Sequence, residues 1–327
     1  MNTPRIFRSL ALGCAVVAAA PAVLAQDAPF PSRAVTLIVP FTPSSGSDTI
    51  ARIVGPKLSA RWGQPVVVEN RPGASGNLGT SQVAKAAGDG YTLLMAINTH
   101  TITPAIYKSL PYDPLRDFAP VAELAQANFT LAVNPAVPVK DLRSLIAYGK
   151  ANPGKLNYGT PGNGTPHHLA MELFKANQGV SFLHVPYKGI SGALTDLMGG
   201  HVDLMFASVP SVRSYAQAGK VRLLAVTGEQ RSSLLPDVPT FREQGDKGMD
   251  VIDAWYAVLA PAKTPPALVA RLNKDFVEVM NSDEVKAELA PLGLQTRTGS
   301  PAQLDALIRA DMKRWKALVD STGITAD

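Results

Sequence analysis

The chain has 327 residues, 46% hydrophobic and 17% charged, with a formal net charge of +5 and a single cysteine. That length supports two domains with cores of their own, and the composition is globular rather than disordered or fibrous. No Lys/Arg run interleaved with aromatics points to nucleic acid, and no apolar stretch beyond the first residues is long enough to span a bilayer.

Residues 1–25 read as a secretory signal peptide. Arg5 and Arg8 open it, Leu10 to Val17 form its apolar stretch, and Val23-Leu24-Ala25 is a small-residue cleavage signal. Ala11 stands where a lipoprotein signal wants leucine. Cleavage near Ala25 removes Cys14, so disulfides, thiolate catalysis and cysteine metal sites are excluded from the mature chain. It also removes two arginines and no acid, which lowers the charge from +5 to +3.

Past the leader, short β-branched runs alternate with helical patterns. Val35–Val39 predicts a strand, Asp48 caps a helix running to Arg61, and Val66–Glu69 is the next strand. Ser75 or Asn77 opens a helix before a third strand at Tyr91–Ala96. A second series has strands at Phe129–Asn134, Lys155–Tyr158, Ser181–Val185, Val202–Phe206 and Val221–Thr227. Its helices start at Asp141, Thr165, Ser191 and about Pro210. Trp255–Ala260 reads as one more strand, followed by helices over Pro265–Asn281, Asp283–Leu289 and Pro301–Ser321. The expected fold class is α/β: two lobes, each a doubly wound, mostly parallel sheet, with chain crossings near residues 127 and 250. The domains are then 26–127 with 251–327, and 128–250. In such sheets ligands bind beyond the carboxyl ends of the strands.

Two segments stand at that edge. Asn157–Leu169 reads as a strand end, a glycine-rich turn and a helix start, with Thr165 as N-cap and Pro166 at the first helical position. Pro40–Asp48 repeats the arrangement upstream. Asp48, Thr165 and Ser191 thus start three helices whose N–H groups and dipoles suit a small carboxylate held by neutral groups. Other chemistry lacks its residues. Ser75, in Gly73-Ala74-Ser75-Gly76, lacks the spacing of a nucleophile elbow. The loop 159–164 is neither GxGxxG nor a Walker sequence, so no nucleotide cofactor is implied. His167 and His168 are neighbours on a helix and cannot readily share a metal. His167 reads as ordinary surface and His168 as facing inward beside the turn.

These residues resemble the periplasmic substrate-binding proteins of tripartite tricarboxylate transporters, often called Bug proteins. The likeness runs through Val35–Asp48, Gly63–Ala74, Ala84–Leu94, Leu110–Pro114, Asp117–Val121, Leu156–Leu169, His184–Gly189, Leu234–Thr240 and Trp255–Pro261. The resemblance implies a type II, Venus-flytrap binding protein in the periplasm, a monomer without cofactor or metal, that carries a small organic carboxylate to a membrane permease. Carried over by position, it implies ligand contacts from Thr42, Pro43, Ser44, Ser45 and Asp48 on one lobe. Opposite stand Thr160, Gly162, Gly164, Thr165 and His168, with Lys188, Gly189 and Ser191 beside them and Asn98, Thr99 and His100 at the far end. Two departures bear on the ligand. Ser44 and Ser45 replace two glycines of the family's first turn, and Ala207 replaces an aspartate that many relatives carry. Without that carboxylate the ammonium of an amino acid lacks its partner, so the expected ligand is a non-amino mono- or dicarboxylate, aromatic acids included. The rival readings are a receptor that presents its ligand to a signalling partner and an extracytoplasmic hydrolase or isomerase.

Overall fold

The computed structural model describes residues 30–323 apart from 44, 188–189 and 250–251. The expected signal peptide therefore lies outside the described residues, as do Ser44, Lys188 and Gly189 of the expected site. β1 (Val35–Val39) is almost wholly buried, as a strand covered by helices on both faces must be. β2 (Val66–Asn70) and β3 (Thr92–Ile97) flank it in parallel, with Val39 opposite Asn70 and Ile38 opposite Leu94. α1 (Gly46–Trp62) joins β1 to β2 and closes on Gly63 in the left-handed region at φ 63°. α2 (Asn77–Ala84) joins β2 to β3, and α3 (Thr99–Ile106) follows β3 directly.

β4 (Phe118–Val133) then runs for 16 residues. After it come α4 (Leu142–Ala151), β5 (Asn157–Thr160), α5 (Pro166–Gln178), β6 (Leu183–Pro186), α6 (Ile190–Gly199), β7 (Leu204–Ser208), α7 (Val209–Gln217) and β8 (Arg222–Val226). β9 (Asp253–Pro261), α8 (Pro266–Asn281), α9 (Asp283–Leu289), β10 (Leu294–Thr296) and α10 (Pro301–Thr322) complete the described chain. The main sheet has the order β2-β1-β3-β9-β4-β7-β5-β6, with β8 and β10 also paired to β4. It is less parallel than the β-α alternation suggests. Parallel pairs are confined to β2-β1-β3 and β6-β5-β7, and every pairing of β4 or β9 is antiparallel. β4 and β9 carry the chain between the two groups as strands, and antiparallel neighbours need no helical crossover.

The first half of β4 pairs with β9 as far as Asn128, and from Phe129 onward its partners are β7 and β8. Apolar layers cover both faces of each half. α10 enters two of them: Leu304 and Ile308 pack with Trp255, while Trp315, Leu318 and Val319 pack with Phe129, Leu169 and Phe174. Asp311 fixes this helix. Its buried carboxylate accepts from Trp255 Nε1 at 2.8 Å, Thr101 Oγ1 at 3.1 Å and Arg314 Nη1 at 2.7 Å. Asp311→Ala leaves the buried Trp255 indole N–H without its acceptor and removes the Arg314 ion pair, while Thr101 keeps the Asn98 carbonyl at 2.8 Å; it is predicted to cost about 3 kcal/mol in urea unfolding. A loss below about 1 kcal/mol would show that α10 is held by packing alone.

Candidate ligand-binding site

Parallel register puts the ends of β1, β2 and β3 on one edge and those of β5, β6 and β7 on another. In the first turn Ser45, not Asp48, is the N-cap: its Oγ accepts from Asp48 N–H at 3.3 Å. Thr42 and Pro43 are exposed, and the Thr42 carbonyl accepts from Ser45 N–H at 3.3 Å. Asp48 is buried with its carboxylate already committed. Arg52 Nε reaches both of its oxygens at 3.0 Å, and Asn70 Nδ2 donates to Oδ1 at 2.9 Å. Asn70 also donates to the Phe41 carbonyl at 3.0 Å. Asp48 therefore shapes the turn, and its charge would repel an anion placed directly on it.

One residue at this turn was not foreseen. The Tyr256 hydroxyl lies against Gly46, the first residue of α1, so closely that a methyl there would collide with it. Burial pushes this phenol up to about 12, so it keeps its proton and remains a donor. Strand alternation was the available signal: Trp255 packs against α10, so its neighbour Tyr256 must face α1.

The second turn forms as the sequence indicates. Thr165 caps α5, accepting from His168 N–H at 3.4 Å and donating to the Gly162 carbonyl at 2.9 Å. Gly162 (φ 142°) and Gly164 (φ 67°) occupy backbone regions that disfavour side chains. A methyl on Gly164 would also collide with Ile106. Behind the turn three rings stack. Tyr158 lies 4.8 Å from His184, and His184 lies 4.0 Å from His168 at an interplanar angle of 9°. Gly164 N–H donates to His168 Nδ1 at 3.1 Å, and Thr160 Oγ1 meets His184 Nε2 at 2.6 Å. Burial, and then the neighbouring His184, bring His168 down to about 4. His168 thus faces inward and acts on the turn's backbone.

The two turns are linked through α3. Ile106 lies under Gly164, Tyr107 hydrogen-bonds through its hydroxyl to Ser75 Oγ at 3.0 Å, and Gly76 packs against Pro40 and Phe41. Other candidates stand apart from them. His100 packs against Tyr112 and Phe118, meets the Pro114 carbonyl through Nε2 at 3.0 Å, and is brought down to about 4 by burial. Asn98 spends its amide on the Asp253 carbonyl (2.8 Å) and Trp255 N–H (3.0 Å). Thr99 is half-buried at the start of α3, and Ser191 is exposed on α6. Ala207 is buried in an apolar layer with Ala132, Ala193 and Val212, against which Tyr187 and Ile190 also pack. His167 is not ordinary surface. It is half-buried, edge-on to Phe129 at 4.8 Å, with Nδ1 enclosed and unpartnered, and burial brings it to about 4.

Among the described residues no group of three or more His, Cys, Asp or Glu is placed to hold a metal ion. The Thr160 hydroxyl that meets His184 is buried and also bonded to Gly162, so it is not presented to a ligand.

Residues 50–324 match the family model for the tripartite tricarboxylate transporter family receptor. Protein BugT of Bordetella pertussis is 34% identical over 325 residues, covering 99% of each chain. The solved structure "R. palustris Rpa4515 with adipate" has a TM-score of 0.81 and 36% identity over 90% of this chain and 99% of its own. MatC (Rpa3494) from Rhodopseudomonas palustris with bound malate has a TM-score of 0.77 and 32% identity, over 89% and 100%. The fold is therefore the mixed α/β fold of periplasmic binding proteins.

Two outcomes are expected. Thr165→Val removes the cap of α5 and should lower stability by about 1 kcal/mol in urea unfolding; no change would mean that Pro166 alone sets the helix start. His100 is neutral in the fold at about 4 and titrates at the ordinary 6.5 when unfolded. Its contribution is complete above pH 6.5 and is lost as pH falls toward 4, with a slope of up to about 1.4 kcal/mol per pH unit. His100→Gln should flatten the acid slope of stability by up to one proton, measured by unfolding at pH 7 to 4.5. An unchanged slope would mean that His100 is protonated in the fold.

Proposed function

This chain belongs to the tripartite tricarboxylate transporter receptor family, and from that premise we propose that it captures a small non-amino organic carboxylate between its two turns for a membrane permease. The family is one of binding proteins, not of enzymes. The observation that carries the reading is the pair of capped helix starts, Ser45 before α1 and Thr165 before α5, connected through α3. A helix start offers N–H donors and the positive end of its dipole without a fixed charge. Tyr256 adds a hydroxyl beside the first.

Ala207 supplies no carboxylate for an amine of the ligand, and Asp48, the acid within the turns, is committed to Arg52 and Asn70 and offers an ammonium little. The adipate and malate bound by the two structural relatives carry no amine either. Thr42 and Pro43, exposed before α1, are further proposed contacts, as are Ser44, Lys188 and Gly189 on the strength of the resemblance. The signal peptide and the periplasmic description of structural relatives support delivery from the periplasm.

Thermal shift and calorimetry with adipate, malate, succinate, aspartate and glutamate test this reading. A diacid should raise the melting temperature progressively with concentration and be recovered unchanged. Aspartate binding more tightly than succinate, or turnover of any acid, would overturn it. Thr165→Val should weaken binding of the best acid by about three- to tenfold, in line with a lost or displaced hydrogen bond. A folded variant that binds as well as the parent would place the site elsewhere.

A further inference from the structure

The imidazole of His168 is buried behind the glycine turn, on the protein side of the proposed ligand. Its Nδ1 accepts from Gly164 N–H at 3.1 Å, which leaves the proton on Nε2. Nε2 in turn lies 3.9 Å from Glu172 Oε1. The ring stacks on His184 at 4.0 Å, and His184 meets Thr160 Oγ1 at 2.6 Å. The same Thr160 hydroxyl accepts from Gly162 N–H at 3.3 Å. Gly162 and Gly164, the two glycines of the turn with positive φ, thus each have their N–H drawn back to a side chain backed by the stack. Without these bonds glycine holds such a conformation only weakly, because it has the most freedom to lose.

We propose that His168 and His184 are positioning residues of the carboxylate cradle. As neutral imidazoles they hold the Gly162–Thr165 backbone in its receiving shape, without touching the ligand themselves. This rests on the functional reading above and assigns the pair its place in it. Burial is the main reason that the imidazoles stay neutral, and for His168 the neighbouring His184 adds to it. Protonating His168 requires a proton on Nδ1, the atom that accepts from Gly164. A second cation at 4.0 Å in a buried site is unfavourable, and the Lys175 ammonium, bound to Glu172 at 2.6 Å, opposes it as well. Glu172 pulls the other way. Its carboxylate is shared with Lys175 and with the Tyr158 hydroxyl, which donates to it. Tyr158, His184, Glu172 and Lys175 are thus the titratable groups facing His168 from β5, β6 and α5.

The test compares His168→Asn, which keeps a polar acceptor, with His168→Leu, which keeps bulk and loses the acceptor. Two readouts are needed. The first is amide hydrogen exchange at Gly164, with the imidazole ¹⁵N shifts of the parent chain, and it requires no ligand. The Nε2–H tautomer is expected in the parent at pH 7, with Gly164 exchange accelerated about three- to tenfold in His168→Leu and less in His168→Asn. The second is affinity for adipate and malate, expected to fall about three- to tenfold in His168→Leu and to be partly kept in His168→Asn. A role in packing alone would reverse the order, since leucine suits the buried site and asparagine does not. That reversal, or an Nδ1–H tautomer, would overturn the proposal. If the parent chain binds neither acid, the choice of ligand fails, while the exchange and tautomer measurements still decide the role of the pair.

Discussion

Everything at the turns depends on the antiparallel pairing of β4 with β9. Their ladder runs from Phe118 opposite Pro261 to Asn128 opposite Asp253, with irregular steps near Pro120/Ala122 and Glu123/Ala125. Such bulges bend and twist a long strand, and here they let one 16-residue strand belong to two sheet directions. Asn98 ties the end of β3 into this crossing through the Asp253 carbonyl and Trp255 N–H. α3 therefore starts from a fixed point and carries Ile106 to the underside of Gly164. The distance between the two helix starts is thus set by sheet register, not by loop contacts.

Charge is used sparingly near the turns and accumulates at the crossing. Arg297 pairs with Glu123 at 3.2 Å and Asp253 at 3.3 Å, yet burial still pushes Glu123 up to about 7 and Asp253 up to about 6. These acids bind protons more readily in the folded chain, so their contribution is fullest in acid and is lost as pH rises through those values. The buried histidines do the opposite, losing theirs as pH falls from 6.5 toward 4. The two sets oppose each other over the same interval and leave a shallower net dependence than either alone. The turns themselves offer a ligand backbone and hydroxyl groups, with Asp48 and the imidazoles consumed internally.

Much of this was legible in the sequence because it is local. Caps, glycines and β-branched runs place α5 and the strands around both turns to within about two residues, whereas the cap of α1 lies at Ser45 rather than Asp48. The misses share a cause: their determinants are distant in sequence. The first half of β4 carries Pro120, Glu123 and Gln126, a poor strand pattern that only the partners β9 and β10 make favourable. α3 is rich in threonine and contains Pro104, so its propensity is low, and packing against α10 supports it. Asp48 reads as an N-cap because it opens the polar-to-apolar change, but Ser45 Oγ reaches its N–H and Asn70, 22 residues away, claims its carboxylate. Both turns form as capped helix starts, while side-chain directions at His100 and Ala207 follow from packing layers that no motif records.

The path of α10 limits how the two turns can move apart. Leu304 and Ile308 are seated with the β1–β3 half, Trp315 and Leu318 with the half containing α5, and Asp311 is bonded between them to Trp255 and Thr101. A shear between the halves would pull Trp315 from a site where it is 2% exposed. Losing that burial, with Leu318, would cost about 3–5 kcal/mol. The strand partners of β4 change between Asn128 and Phe129, beside Asp253, which makes the crossing the natural hinge. A bend there moves the helix start at Ser45 relative to the one at Thr165 only as far as α10, seated in both halves, and the contact of Ile106 with Gly164 allow.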